Sequence, residues 1–149
     1  MHAEDLERVV RHEVYQTAMD RGRPPRIAEL VGSLAVGEEK VRASLDRLAS
    51  AHVLVLQAGS GEILMADPFS AIPTPFAVEV NGRQYFGICI WDALGIPAML
   101  KLDGTLDASC GCCGLSMVLE VRGGALQPSE GVVHFAVPAR KWWEDIIFT

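Results

Sequence analysis

The first fifty residues carry apolar side chains at helical spacing in three successive stretches. The first stretch spans residues 3–19, where charged residues alternate with apolar positions and predict one amphipathic helix. These positions are Leu6, Val9, Val10, Val14 and Ala18. A second helix is expected to open at Pro24 and Pro25, because proline fits the first helical turn. A third is predicted from about Glu38 to Ser50, after a short turn at residues 35–37.

The chain changes to β-type composition after the third helix. Residues 52–56 read His-Val-Leu-Val-Leu, and Gly59-Ser60-Gly61 predicts a turn that leads back through residues 63–65. Three helices followed by a two-stranded hairpin resemble the order of a winged-helix unit. We therefore predict a winged-helix-like helical domain over residues 1–68.

A proline-rich segment separates this unit from the second half. Three prolines fall between residues 67 and 75, a density that neither a helix nor a central strand tolerates, so residues 69–75 are predicted as a linker. Short strands are expected beyond it, with an Asn81-Gly82 hairpin turn and a short helix at 91–100 broken by Pro97. The predicted strands are 76–80, 84–86, 117–121 and 132–137. The fold class is α+β, with a small mixed or antiparallel sheet domain at 76–149.

Charge and hydropathy narrow the classes of function. The net charge is −6, and residues 1–70 hold eight Lys and Arg against eleven Asp and Glu. Because phosphate binding needs excess positive charge, we do not expect DNA binding by the front unit. We expect instead that the front unit has a structural or dimerising role, which would make the protein a homodimer in the second case. No apolar run reaches the roughly 18 residues of a membrane span, and residues 1–5 lack the basic and apolar start of a secretion signal, which favours the cytoplasm.

The four cysteines all lie in a short window of the second half, at Cys89, Cys110, Cys112 and Cys113. In a reducing compartment such clustering favours metal binding or thiol chemistry over structural disulfides. The alternative interpretation treats each cysteine as a small buried hydrophobe, which is weaker for three cysteines within four residues.

Cys89 and Asp92 stand three residues apart, a spacing that places both side chains on one face of a helical turn. A thiolate can bind a soft metal while a neighbouring carboxyl gives or takes a proton. A second interpretation remains open, in which Asp92 caps the helix that Ala93 begins.

Two segments sharpen the first interpretation. Residues 85–100 include Cys-Ile-Trp-Asp followed by Leu-Gly-Ile-Pro-Ala, and residues 109–114 read Ser-Cys-Gly-Cys-Cys-Gly. Both resemble motifs of the alkylmercury lyase family, and the winged-helix-like front half resembles that family's architecture. The resemblance implies an alkylmercury-lyase-like fold, in which Cys89 is a mercury-binding thiolate and Asp92 a proton shuttle. It implies a structural role for Cys110.

The chain departs from the family at the second mercury-binding cysteine. The family segment that carries it resembles residues 141–148, where Trp143 occupies the expected position, and no cysteine follows Cys113. One interpretation is that Cys112 or Cys113 supplies the missing sulfur by folding over Cys89. The other is that the scaffold serves a different metal or an organic substrate.

The favoured hypothesis is therefore an enzyme that cleaves a carbon–mercury bond by protonolysis, with Cys89 and Asp92 as catalytic residues. The rivals are a noncatalytic soft-metal-binding or metal-sensing protein and a biosynthetic enzyme for an organic substrate. The expected partner is a small-molecule substrate or a soft metal ion. We expect that no cofactor is required. Mercury is then part of the substrate, or the cysteines bind Cu or Zn. Aromatic residues are expected to wall an apolar pocket. They are Phe86, Trp91, Trp142 and Trp143.

Overall fold

The front half consists of three helices and a small antiparallel sheet. The computed structural model describes residues 3–147. The helices are α1 (Ala3–Arg21), α2 (Ile27–Leu34) and α3 (Glu38–Ser50). The third has the predicted bounds, whereas α2 begins after the two prolines, where Glu29 accepts a hydrogen bond from the backbone N–H of Arg26 at 2.7 Å. Apolar faces of all three helices meet in one buried core with Leu54 and Ile63.

Three short strands complete this half in the order β1-β2-β3: β1 (Val55–Leu56), β2 (Ile63–Ala66) and β3 (Phe69–Ser70). The first strand is shorter than predicted, because His52 adopts a left-handed conformation (φ 58°) in the turn that ends α3. Phe69 and Ser70, the first residues of the predicted linker, pair with β2. The winged-helix assignment remains a prediction.

The second half is a five-stranded antiparallel sheet covered on one face by a helix. Its strands are β4 (Phe76–Val80), β5 (Arg83–Gly87), β6 (Gly104–Ser109), β7 (Ser116–Arg122) and β8 (Ala125–Leu126). They lie in the order β5-β4-β6-β7-β8. The helix is α4 (Ile90–Leu100), and a 3-10 helix spans Ala139–Glu144. The α+β fold class is thereby confirmed.

The β4–β5 hairpin turns at the predicted dipeptide. Asn81 and Gly82 both have positive φ, at 51° and 76°, as a tight two-residue hairpin turn requires. The register pairs Val80 with Arg83 and Phe76 with Gly87. This register fixes where β5 ends, and α4 begins three residues later.

The two halves share a packed boundary. Ala18 of α1 is fully buried in the core of the second half, and the Tyr85 hydroxyl donates a hydrogen bond to the Met19 carbonyl at 2.8 Å. A side chain at Gly22 would collide with the Gln84 carbonyl, so α1 ends directly against β5.

Two sequence predictions in the second half are wrong. The strand predicted at 132–137 is irregular and lies outside both sheets, and Val132 is 94% exposed. A segment of strand-forming side chains becomes a strand only where a neighbouring edge supplies hydrogen bonds. Pro97 does not break the helix either. It lies inside α4, only three residues before the helix ends at Leu100.

No helix in the described part of the chain is both long and apolar enough to cross a membrane.

Candidate functional site

A cavity of about 110 Å³ lies between the start of α4, the end of β2 and the C-terminal segment. The described residues that line it are mostly apolar or aromatic, with two carboxyl groups and one thiol among them. They are Met65, Asp67, Ile88, Cys89, Trp91, Asp92, Phe135, Trp142, Trp143 and Ile146. Elements from both halves of the chain therefore build the cavity wall.

The end of β5 sets the position of the thiol. Gly87 is buried beneath the first turn of α4, where an added Cβ would lie 2.5 Å from the Ala93 nitrogen and 3.0 Å from the Cys89 carbonyl oxygen. The Thr74 hydroxyl also donates a hydrogen bond to the Gly87 carbonyl. Cys89 then occupies the N-cap position of α4 in extended backbone conformation, so its side chain stands at the open end of the helix.

Cys89 and Asp92 face each other across the first turn of α4. The Cys89 Sγ donates a hydrogen bond to Asp92 Oδ2 at 3.5 Å, as their three-residue spacing predicts. Asp92 is only 9% exposed. Its carboxyl interacts with the thiol and the backbone N–H of Cys89 and with Asp67. Asp92 therefore contacts the N-cap residue of α4 as well as the thiol, although the N-cap position itself belongs to Cys89.

Burial and a second carboxyl group raise the pKa of Asp92 to about 7 from its ordinary 3.8. Desolvation is the largest cause, because a buried carboxylate loses hydration. The hydrogen bond to Asp67 and that group's charge raise the pKa further, whereas the thiol and the backbone N–H of Cys89 lower it. Asp92 can consequently hold or release a proton near neutral pH.

The pKa of the Cys89 thiol is raised as well. Desolvation, aided by the charge of Asp92, raises its pKa to about 11, although the backbone N–H groups of Asp92 and Trp91 partly offset these effects. At neutral pH the thiol keeps its proton. Binding to a soft metal must therefore displace that proton, and the acceptor within reach is Asp92.

Aromatic rings from the C-terminal segment form the opposite wall. Trp142 packs against Phe135 with centroids 4.9 Å apart, and its Nε1 donates a hydrogen bond to the Val137 carbonyl at 2.8 Å. Trp143 stacks on His52 with centroids 4.2 Å apart and planes 5° from parallel. The front half of the chain thus holds the Trp143 ring, at the position where the sequence resemblance leads us to expect a second cysteine.

The other three cysteines lie elsewhere. Cys110, Cys112 and Cys113 form the turn between β6 and β7, and none is among the described lining residues of the cavity. Backbone hydrogen bonds close this turn on itself, from Cys110 N to the Leu115 carbonyl and from Gly114 N to the Cys110 carbonyl, both at 2.8 Å. The expected folding of Cys112 or Cys113 over Cys89 is not what the structure shows.

No cluster of three or more potential metal ligands occurs among residues 3–147. The predicted set of Cys89 with the three turn cysteines is therefore not assembled. Within the turn, the backbone N–H groups of Cys113 and Cys112 and the Cys113 thiol lower the pKa of Cys110.

Three of the four predicted pocket aromatics line the cavity, namely Trp91, Trp142 and Trp143. Phe86 does not, because side chains alternate along a strand and its neighbours Tyr85 and Gly87 are the buried ones. The sequence interpretation missed Asp67, which lies between β2 and β3. Its position directly before the proline-rich segment suggested a linker, and only the pairing of β3 with β2 brings it to Asp92.

The site thus combines one protonated thiol and one carboxyl group with a pKa of about 7 in a small apolar cavity. This pair can bind a soft metal through sulfur and move a proton at the same place.

Comparison with known proteins supplies a family. No curated protein matches the chain. A solved structure described as the mercury-bound form of MerB2 matches with a TM-score of 0.61 and 21% sequence identity. The match covers 80% of this chain and 58% of that one, so the likeness shows the fold, and the chain spans less than two thirds of that protein's length. The family model described as MerB, alkylmercury lyase, matches residues 69–149. Because this match covers more than half of the sequence, the chain belongs to the alkylmercury lyase family.

Proposed function

We propose that the chain cleaves the carbon–mercury bond of an organomercurial by protonolysis, with Cys89 as the mercury ligand and Asp92 as the proton shuttle. The observation that carries this proposal is the 3.5 Å contact between the Cys89 Sγ and Asp92 Oδ2 inside an apolar cavity. Membership of a lyase family supports it.

The first step transfers the organomercurial from a small thiol to Cys89. The substrate arrives as R–Hg–SR′, the form that organomercurials take in a solution rich in thiols. The Cys89 sulfur bonds to mercury, and its proton passes to the ionised Asp92 carboxyl. R′S⁻ leaves. A pKa of about 7 for Asp92 suits this transfer, because a useful fraction of the group is ionised at neutral pH.

The second step breaks the carbon–mercury bond. Asp92 delivers the proton to the carbon, which leaves as R–H with the electron pair of the broken bond. The carboxylate is restored, and R′S⁻ returns to the mercury to give Cys89–S–Hg–SR′. A second small thiol then releases Hg(SR′)₂ and restores the Cys89 thiol. Overall, the substrate and one thiol give R–H and a mercury dithiolate.

The cavity holds a single thiol among its described lining residues, so the second sulfur comes from solution in this scheme. Trp91 is 62% exposed and Trp143 is 42% exposed, which leaves the cavity rim accessible to a small thiol. Such thiols are abundant in the cytoplasm, where we place the protein.

One observation favours a second candidate. Aromatic rings replace the family's second thiol, and Phe135, Trp142 and Trp143 make a wall suited to a flat organic substrate. On this alternative the cavity uses Cys89 and Asp92 on a compound without mercury.

The test is incubation of the full chain with phenylmercury and excess small thiol, with benzene measured by gas chromatography. We expect catalytic benzene release by the wild type and none by Cys89→Ser, which keeps the side-chain size but lacks the soft ligand. Cys112→Ser is the matched control and should release benzene as the wild type does. If the wild type releases no benzene, the lyase proposal fails and the organic-substrate candidate takes its place.

A further inference from the structure

The turn between β6 and β7 brings two sulfurs together outside the cavity. Cys110 and Cys113 stand three residues apart, and the Cys113 thiol hydrogen-bonds the Cys110 thiol. The turn is closed by the two 2.8 Å backbone hydrogen bonds that involve Cys110. Cys113 is exposed and Cys110 is half-buried, so a small ion can reach both sulfurs.

The turn also leaves room for an ion beside the two sulfurs. Gly111 and Gly114 flank the turn without side chains, and an added Cβ at either one would meet no atom within 4 Å. The space around the two sulfurs is open.

The number of sulfurs limits the metal. A structural zinc site needs four ligands, and residues 3–147 contain no group of three potential ligands. Hg(II) and Cu(I) are soft ions that accept two thiolates in a near-linear arrangement, and soft sulfur ligands select such ions. Two adjacent thiols on a closed turn therefore suit a two-coordinate soft ion.

We propose that Cys110 and Cys113 form a dithiolate site for a two-coordinate soft metal ion, Hg(II) or Cu(I), separate from the Cys89 cavity. Binding forms two metal–sulfur bonds and releases the two thiol protons to solvent. Cys112 lies between the two ligands in sequence but does not belong to the site.

The proposed site and Cys89 lie at the same end of the sheet, but metal binding at the turn does not depend on lyase activity. Phe76 of β4 pairs with Gly87, and the adjacent Ala77 pairs with Asp107 of β6. Both β5 and β6 therefore end at the same edge of the sheet, about 10 Å apart with β4 between them. Cys89 follows the first end and Cys110 the second, so the dithiolate lies at the same end of the sheet as Cys89.

The test uses the full chain with Cys89→Ser as background, so that cavity binding is removed. Hg(II) and Cu(I) are titrated separately against a competing small dithiol, and the thiolate-to-metal charge-transfer absorbance is followed in the ultraviolet. We expect one equivalent of ion per chain. Cys110→Ser or Cys113→Ser should weaken binding about 100-fold or more, since each change removes the second, intramolecular ligand. Cys112→Ser, which removes an exposed thiol on the same turn, is the matched control and should bind as the background does.

Circular dichroism identifies any variant that fails to fold, and Cys110→Ala then gives a second measurement at the same position. Zn(II) should bind far more weakly than Hg(II). The proposal is overturned if Cys112→Ser weakens binding as strongly as Cys113→Ser, or if neither Cys110 nor Cys113 matters. Because the background lacks Cys89, these outcomes are independent of benzene release.

Discussion

Replacing Asp92 by asparagine should remove the proton shuttle and at the same time stabilise the protein above neutral pH. The carboxyl has a pKa of about 7 in the folded chain and an ordinary value of 3.8. A group whose pKa is higher in the folded state than in the unfolded state contributes its full stabilisation at pH values below the unfolded pKa. That contribution is lost as the pH rises through the folded pKa.

The magnitude follows from the size of the shift. A shift of about three pKa units corresponds to at most about 4 kcal/mol in the free energy of unfolding. The loss in the wild type develops between about pH 4 and pH 7 and is constant above that range. The asparagine side chain of the variant cannot ionise, so the variant keeps the low-pH stability. Part of the shift comes from Asp67, which is exposed and screened by solvent, and the measured difference should therefore fall below the upper limit.

The assay is urea unfolding of the wild type and Asp92→Asn at a series of pH values from 4 to 9, followed by circular dichroism. The free energy of unfolding of the variant, relative to the wild type, should rise between pH 4 and 7 and then level off. The other titrating groups are common to both proteins and cancel in the difference. A difference that is independent of pH would refute the account of Asp92, and so would a variant that becomes the less stable protein as the pH rises.

Three further outcomes are expected. Asp67→Asn removes the neighbouring charge, so the pKa of Asp92 should fall. In the protein preloaded with phenylmercury, where Asp92 must hold the proton that it delivers, the pH at which benzene release declines on the alkaline side should fall with it; an unchanged pH–rate profile would count against the Asp67–Asp92 pair. Trp143→Cys places a second thiol in the cavity wall and should tighten Hg(II) retention about 100-fold, with Trp143→Ser as the control that opens the wall without sulfur. Equal mercury binding by Trp143→Cys and Trp143→Ser would contradict the position of residue 143 in the cavity wall. The front unit should show no specific duplex DNA binding at physiological salt, because its charge is negative, and a nanomolar gel shift would overturn this.

Local spacing was sufficient to predict the pair at the centre of the site. Cys89 and Asp92 are three residues apart, and any helical turn over that segment brings their side chains to one face. The bounds of α3 and the Asn81-Gly82 turn followed in the same way, because helical periodicity and turn chemistry are both contained in a few consecutive residues.

Features that depend on distant pairing were harder to predict. Strand β6 was not predicted, because its sequence contains a single large apolar side chain, Leu106. It forms a strand through its pairing with β4 and β7. Residues 132–137 are rich in β-branched and aromatic side chains, as strands are, yet no sheet edge in the described part of the chain pairs with them. Asp67 reaches Asp92 through the fold of β3 against β2 and not through spacing. The stacking of His52 on Trp143 likewise joins residues far apart in sequence.

The most direct test of the central claim follows a single turnover on the preloaded protein. Phenylmercury is bound to the wild type and to Asp92→Asn, excess reagent is removed, and mass spectrometry of the peptides measures the fraction of Cys89 that carries the adduct. A small thiol is then added, and benzene is measured with time. The account predicts stoichiometric benzene from the wild type and a phenylmercury adduct of Asp92→Asn that returns to the small thiol uncleaved. Benzene released at the wild-type rate by Asp92→Asn, or an adduct of the wild type that is never cleaved, would contradict it.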